Sequence, residues 1–252
     1  MILESLALVD IQCGKVIFSN VRAILFDKDG TLVDSEDFLR NLGRKRSRLL
    51  DAQIPGAGDS LLVACGLDGN TLDPTGLLAV GSRRENEIAA AVYVAETGRG
   101  WLESLEVARK AFDDADRMLK DAAPSPLFVG CWETLEKLSR AGLKLGIVSA
   151  DTTSRVREFV ARHQLKPYIQ LEMGVDCGPS KPDPSLFVDA CQALEVEPSQ
   201  TLMVGDSPLD IEMGKRADAA GCIGICWDKP AANRFKIADV TIAQLDEIQV
   251  LS

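Results

Sequence analysis

"AILFDKDGTLVDSE", residues 23–36, decides the fold. Four apolar residues, Ala23 to Phe26, run into two aspartates one residue apart, Asp27 and Asp29, and then into Gly30. A short unbroken apolar run bounded by turn residues reads as a strand buried on both faces, the kind found in parallel sheets. Comparable runs recur: "LKLGIVS" ending at Ser149, "YIQLEM" ending near Gly174, "TLMVG" ending at Gly205, "CIGICW" ending at Trp227 and "DVTI" ending near Ile242. Helical patterns at about 131–141, 154–164, 184–194 and 208–219 alternate with them. The alternation predicts an α/β fold whose core is a doubly wound, Rossmann-like parallel sheet.

One segment breaks the rhythm. From 36 to 124 the sequence shows no strand and reads as helices: "DFLRNLGRKRSRLLDAQ", "ENEIAAAVYVAET" and "WLESLEVARKAFDDADRMLKDA". This predicts an α-helical domain, 36–124, inserted into a core made of 22–35 and 125–252, with "PSPLF" (124–128) as the return linker. Residues 1–21 form an extension in which "LALVDIQ" and "KVIFSN", with Cys13-Gly14 between them, predict a small edge hairpin.

Composition narrows the function. The chain has 252 residues, 38 of them acidic and 28 basic, for a net charge of −10. That balance repels nucleic acid and anionic membrane surfaces, and no nucleic-acid or membrane partner is expected. A small anionic substrate is compatible with it, because a few cations or a bound metal reverse the field within one pocket. Seven scattered cysteines without a C-x-x-C pair form neither a disulfide framework nor a zinc module. Buried, reduced thiols are the expectation, including Cys222 and Cys226. A cytoplasmic setting follows, with no signal-peptide pattern in "MILESLALVD" and no apolar run long enough to span a bilayer.

In open α/β sheets, ligands bind beyond the carboxyl ends of the strands. The first strand delivers Asp27 and Asp29 there, and the second delivers Ser149. A loop near the end of the third brings Lys181, in "GPSKPDP". The fourth brings Asp206, with Asp210 one helical turn later, in "VGDSPLD". Crowded carboxylates need a cation, and oxygen ligands without His or Cys favour Mg²⁺. The expected ligands are the Asp27 carboxylate, the Asp29 backbone carbonyl, Asp206 and Asp210. Lys181 and the Ser149 hydroxyl add a cation and a donor, so the sum suits a phosphoryl group. Asp27 can then attack phosphorus in line, while Asp29 protonates the leaving oxygen and later deprotonates water. Backbone N–H groups from Lys28 to Gly30 would bind the transferring oxygens.

Each motif alone has a plainer reading. An Asp pair before Gly is commonly a turn. The lysine of "SKP" is commonly solvated, and Asp206 or Ser207 can cap a helix that has Pro208 in its first turn. It is the four motifs together, in order and each at a strand end, that point to chemistry.

As a set, "LFDKDGTL", "GIVSAD", "SKPDP" and "VGDSPLDIEMGKRA" resemble the haloacid dehalogenase-like hydrolase superfamily, with the helical insert at the place of the cap domain in the helical-cap subgroup. The resemblance implies Asp27 as nucleophile and Asp29 as acid/base, Ser149 and Lys181 on the phosphate, and Asp206 and Asp210 serving Mg²⁺. Dehalogenases of the superfamily lack the second aspartate, so Asp29 points to phosphate chemistry. Its ATPases carry Thr there and span membranes. Sugar phosphomutases often have Glu-Asp-Ser where this chain has Gly205-Asp206-Ser207. Two features depart from the pattern: Lys28 stands where Leu, Met or Phe is common, and "KRADAAGCIGI" is longer than usual.

The expectation is a Mg²⁺-dependent phosphatase for a small phosphorylated metabolite. Phosphoglycolate is implied first by the resemblance, with sugar phosphates and nucleoside monophosphates behind it. A phosphomutase and a non-catalytic binding or regulatory protein are the alternatives, and the assembly is a monomer or homodimer. In the cap, Arg40, Arg44 and Arg48 share one helical face in a basic run that also holds Lys45 and Arg46, a solvated face in the plainer reading. Arg83 and Arg84, beside a predicted turn, are the better candidates to meet substrate. Tyr93 and Trp101 are expected to pack in the core, and the single histidine, His163, to be structural.

Overall fold

A computed structural model of the chain describes residues 8–227 and 235–251. The first seven residues of the expected N-terminal extension lie outside the described residues. The chain divides into two compact units, Met1–Asp34 with Pro126–Ser252, and Ser35–Ser125.

The first unit opens with β1 (Val9–Cys13) and β2 (Val16–Val21), followed at once by β3 (Ala23–Phe26). The second unit holds α1 (Glu36–Asp51), α2 (Ala57–Ala64), β4 (Leu67–Asp68), β5 (Thr71–Leu72), α3 (Leu77–Val80), α4 (Arg83–Ala95) and α5 (Trp101–Leu119). The chain then returns to the first unit through α6 (Cys131–Arg140), β6 (Lys144–Val148), α7 (Thr153–Arg162), β7 (Leu171–Met173) and α8 (Ser185–Ala193). It finishes with β8 (Thr201–Gly205), α9 (Pro208–Arg216), β9 (Gly221–Ile225), β10 (Val240–Ile242) and β11 (Ile248–Leu251).

Six strands form one sheet in the order β10-β9-β8-β3-β6-β7, parallel throughout. Chain order runs outward from β3 to β7 on one side and from β8 to β10 on the other. That is the doubly wound arrangement, and its direction reverses between β3 and β8.

The strands are apolar on both faces because both faces are covered. Strand side chains alternate sides, so Ala23 and Leu25 of β3 pack with Leu186, Phe187 and Ala190 of α8 and Ile211 and Met213 of α9. Ile24 and Phe26 point the other way, into a cluster with Leu135 and Leu138 of α6 and Val156 and Phe159 of α7. All four β3 residues are buried.

The structure corrects three sequence expectations for the elements. The hairpin of 9–21 is not an edge of the main sheet. It joins the C-terminal strand in a separate antiparallel sheet, ordered β11-β1-β2. Val9, Ile11 and Cys13 alternate into the core cluster and so hold this sheet in place. Strand β7 is shorter than "YIQLEM", because the amides of Tyr168 and Ile169 bond back to the Leu165 carbonyl in a turn. Within the helical unit, "LDGNTL" forms the two-residue strands β4 and β5, since Gly69-Asn70 supplies a tight turn that a helix cannot use.

The helical unit has its own core, which includes Leu50, Leu61, Val94 and Phe112. Ala90, Ala91, Ala108 and Ala111 are fully buried there and let α4 and α5 pack closely. Helix α4 starts with a capping box between Ser82 and Glu85. The Arg46 guanidinium lies 4.3 Å from the Phe112 ring centroid. Tyr93 packs against this core. Trp101, expected inside, is 46% exposed at the first position of α5. Among the described residues no helix is long and apolar enough to cross a membrane.

Phe26 is fully buried at the end of β3. Phe26→Ala should destabilise the protein by about 3–5 kcal/mol, read as a lowered urea midpoint at unchanged slope. A loss under about 1 kcal/mol would contradict close packing at that strand end.

Candidate active site

The strand tips place the acidic residues. The Asp27 amide donates to the Val204 carbonyl at 2.9 Å, which carries the β3–β8 pairing one residue past the strand. Asp27 therefore emerges where the sheet order reverses, beside the end of β8. After it the chain turns sharply: the amides of Leu32 and Val33 bond back to the Lys28 carbonyl, and the Gly30 amide to the Val33 carbonyl. Gly30 has φ +77°, and a Cβ there would lie 2.3 Å from Asp206 Oδ2, so only glycine lets the turn close against Asp206. Thr31 Oγ1 adds a 3.3 Å hydrogen bond to Asp206 Oδ1.

The tip of β8 is fixed by helix α9. Ser207 caps it and Pro208 occupies its first turn. The Asp210 carboxylate closes the capping box by accepting from the Ser207 amide at 3.0 Å. A Cβ on Gly205 would lie 2.4 Å from Asp210, so a side chain there would displace that carboxylate. The helix-capping role of this motif is thus filled by Ser207 and Asp210, while the Asp206 carboxylate is left to face Gly30 and Thr31.

Lys181 joins the strand tips. Its Nζ lies 2.6 Å from Asp27 Oδ1 and 2.6 Å from Asp210 Oδ1, and donates to the Val148 carbonyl at 3.0 Å. One oxygen from each of Asp27, Asp206 and Asp210 lies within 4.8 Å of the others. Ser149, at the end of β6, is buried, and its Oγ accepts from the Asp151 amide at 3.1 Å. Gly30, Asp27, Ser149, Lys181, Asp206 and Asp210 thus lie at the carboxyl edge of one sheet.

The electrostatics follow from burial. Removal from water pushes the Asp27 carboxyl up to about 7, against the pull of Lys181 and with the push of Asp210. Burial alone would lower the Lys181 ammonium, but Asp210 and Asp27 more than reverse this and hold it above its ordinary value. Lys181 stays charged, and three carboxylates gathered around one ammonium leave negative charge for a further cation. Three converging carboxylates without nitrogen or sulfur ligands fit a hard divalent ion such as Mg²⁺.

Asp29 stands apart from this cluster. Its Oδ2 is 2.7 Å from Lys28 Nζ, which also reaches Asp151 Oδ2 at 3.2 Å. The sequence reading missed Asp151, although "SAD" places it two residues past Ser149. It also missed Trp227, whose Nε1 donates to the Gly30 carbonyl at 3.0 Å and whose ring stacks on Phe128 at 4.1 Å. The only sequence sign of Trp227 was its place at the end of the β9 run.

In the helical unit, several of the arginines are engaged by neighbours. Arg83 Nε is 2.8 Å from Glu87 and Nη2 is 2.5 Å from Asp113, while Nη1 pairs with Asp116. Arg84 is half exposed, 4.0 Å from Glu87. Arg40 pairs with Glu36 and Asp37, and Arg44 donates to the Gly69 carbonyl at 2.6 Å. His163 ends α7 with its ring 4.8 Å from Phe159, and burial lowers its pKa. Burial also holds the Cys13, Cys131 and Cys222 thiols up at about 12, so they stay protonated and inert. Cys226 is only partly buried and Cys177 is exposed.

Known proteins resemble this chain in sequence and fold. Residues 21–218 match the haloacid dehalogenase-like hydrolase family. A phosphoglycolate phosphatase of Escherichia coli is 30% identical over 217 residues, covering 81% of this chain and 80% of its own. An N-acetylmuramic acid 6-phosphate phosphatase of Pseudomonas putida is 28% identical over 200 residues, covering 78% and 79%. The crystal structure of a β-phosphoglucomutase from Clostridium difficile superposes with a TM-score of 0.66 at 16% identity, covering 91% and 93%, and shares the fold. The family match takes in every strand tip that carries the acidic cluster, and the chain belongs to the haloacid dehalogenase-like hydrolases.

Proposed function

We propose that the chain is a Mg²⁺-dependent phosphatase that hydrolyses a small phosphorylated metabolite through an aspartyl phosphate on Asp27. The observation that carries this reading is the convergence of Asp27, Asp206, Asp210 and Lys181 where the sheet order reverses. Asp27 attacks phosphorus as the bond to the leaving oxygen breaks, and Asp29 gives that oxygen its proton. Asp29 then takes a proton from the water that cleaves the acyl phosphate, which frees Asp27 and inorganic phosphate. Lys181, the Ser149 hydroxyl and the amides from Lys28 to Gly30 hold the phosphoryl oxygens. Mg²⁺, held by Asp27, Asp206, Asp210 and the Asp29 backbone carbonyl, would offset their charge. The substrates named for the two relatives are both phosphomonoesters of carboxylic acids, which puts phosphoglycolate first. In the helical unit, Arg83 and Arg84 stay the proposed substrate contacts, Arg84 being the more exposed of the two.

The test is phosphate release from phosphoglycolate, N-acetylmuramic acid 6-phosphate, hexose phosphates and nucleoside monophosphates, with Mg²⁺ and with EDTA. Release should need Mg²⁺ and fall to background in Asp27→Asn, while Asp29→Asn should lose about 10²–10⁴-fold. Isomerised sugar phosphate without phosphate release would favour a phosphomutase. No turnover by folded, Mg²⁺-loaded protein would favour a binding protein.

The raised Asp27 pKa sets a second expectation. The ordinary value for an Asp carboxyl is 3.8, and burial in the metal-free fold pushes Asp27 up to about 7. The protonated form is the one the fold accommodates. This contribution is therefore full below the unfolded value and is lost as the pH climbs through the folded one. In EDTA, wild type should lose thermal stability relative to Asp27→Asn between about pH 4 and pH 7. Parallel melting curves across that window would contradict the assignment.

A further inference from the structure

Lys28 has no part in the chemistry above beyond its backbone, yet its side chain is 90% buried, between the two aspartates of the strand tip. An ammonium taken out of water costs several kcal/mol unless it is paired. Here it is paired twice, with Asp29 Oδ2 at 2.7 Å and Asp151 Oδ2 at 3.2 Å. The ring centroid of Phe159 lies 6.0 Å from its Nζ.

Asp151 is itself anchored. Its Oδ1 accepts from the Thr152 amide at 2.9 Å and lies 3.7 Å from Arg155 Nε. Its own amide donates to Ser149 Oγ at 3.1 Å. An unbroken series of polar contacts therefore runs from Ser149 through Asp151 and Lys28 to the Asp29 carboxylate. One end is the hydroxyl assigned to the phosphoryl group and the other is the group assigned to move protons. A proton donor works only within hydrogen-bond reach of the atom it serves, and an aspartate on a turn has two free torsions with which to miss it. Asp29 is 24% exposed on its side chain, so packing alone does not fix those torsions.

We propose that Lys28, anchored by Asp151, is a positioning residue that holds the Asp29 carboxyl group by its Oδ2 at a fixed place relative to Ser149, so that the group delivers its proton to the leaving oxygen and is left as a carboxylate beside Lys28. The inference rests on the acid/base reading of Asp29. In the step concerned, the Asp27 oxygen bonds to phosphorus and the electron pair of the breaking P–O bond moves onto the leaving oxygen. That oxygen takes the proton from Asp29. An alkoxide needs this proton, whereas p-nitrophenolate leaves without it because its ring delocalises the charge.

The test compares kcat/KM, which reports the first phosphoryl transfer, for two substrates: the best alkyl phosphate of the panel above and p-nitrophenyl phosphate. Lys28→Met should lower the alkyl value by about 10²-fold and shift the ratio of the two by at least about tenfold. Lys28→Arg should restore most of that ratio, and Asp151→Asn should shift it the same way as Lys28→Met. These last two variants carry the test if Lys28→Met does not fold. Equal losses on both substrates, or a lowered melting temperature with the ratio intact, would overturn the proposal and leave a structural ion pair. Asp29→Asn is the control: if it leaves the ratio unchanged, the acid/base reading itself fails. If it shifts the ratio while the Lys28 and Asp151 variants do not, only the positioning role fails.

Discussion

One buried ammonium lets Asp27 and Asp210 share a sheet edge. Lys181 stands 2.6 Å from both Asp27 and Asp210. Without it, two carboxylates nearly out of water would face each other, and the Asp27 carboxyl would rise further above its ordinary range than burial already pushes it. Lys181 reaches this place from the loop before α8, Asp27 from β3, and Asp210 from the first turn of α9. Three separate stretches of chain are thus held in register by one charge. The pairing with the Val148 carbonyl brings in a fourth, β6.

The fold makes that meeting possible. Where a doubly wound sheet reverses, the loops from neighbouring strands diverge to opposite faces and leave a crevice. β3 and β8 flank it. Two glycines keep the crevice narrow: Gly30 lies against the Asp206 carboxylate and Gly205 against Asp210. Trp227, at the end of β9, braces the Gly30 carbonyl from the side. The turn after Asp27 is therefore held by backbone bonds, by the Asp206 carboxylate just past the neighbouring strand and by an indole from the next strand along.

Much of this could be read in the sequence because it is local. A β3 of four apolar residues covered on both faces leaves its mark in "AILF", and the site residues follow such runs, closely for Asp27, Ser149 and Asp206 and by a longer loop for Lys181. Asp27, Ser149, Lys181 and Asp206 were found by that rule. What escaped depended on long-range packing. The separate sheet ordered β11-β1-β2 needs the two ends of the chain to meet, and "IQVL" carries no sign of its distant partner. Trp227 was visible only as the end of an apolar run, since its partner Gly30 lies 197 positions away. Lys28 stood out as an oddity, but its reach to Asp151 depends on how β3 and β6 are paired. The two arginines of "SRRE" differ in their surroundings. Basic residues near a turn suggest a ligand, yet Arg83 has three carboxylates of its own unit around it.

The two linkers that leave and re-enter the sheet unit run side by side. Val33 bridges to Leu127, the Phe128 amide bonds to the Leu32 carbonyl, and the Asp34 amide bonds to the Pro126 carbonyl. This pairing bears on the order of folding. β3 must find β6 across the whole helical insertion, a non-local contact of the kind that slows folding. Closing a loop of about ninety disordered residues carries an entropic cost. A helical unit that has already closed on its own core shortens that loop to the spacing between two bridged strands. The insertion then acts as a long hairpin turn, so its helices can change in length or sequence while β3 and β6 still meet.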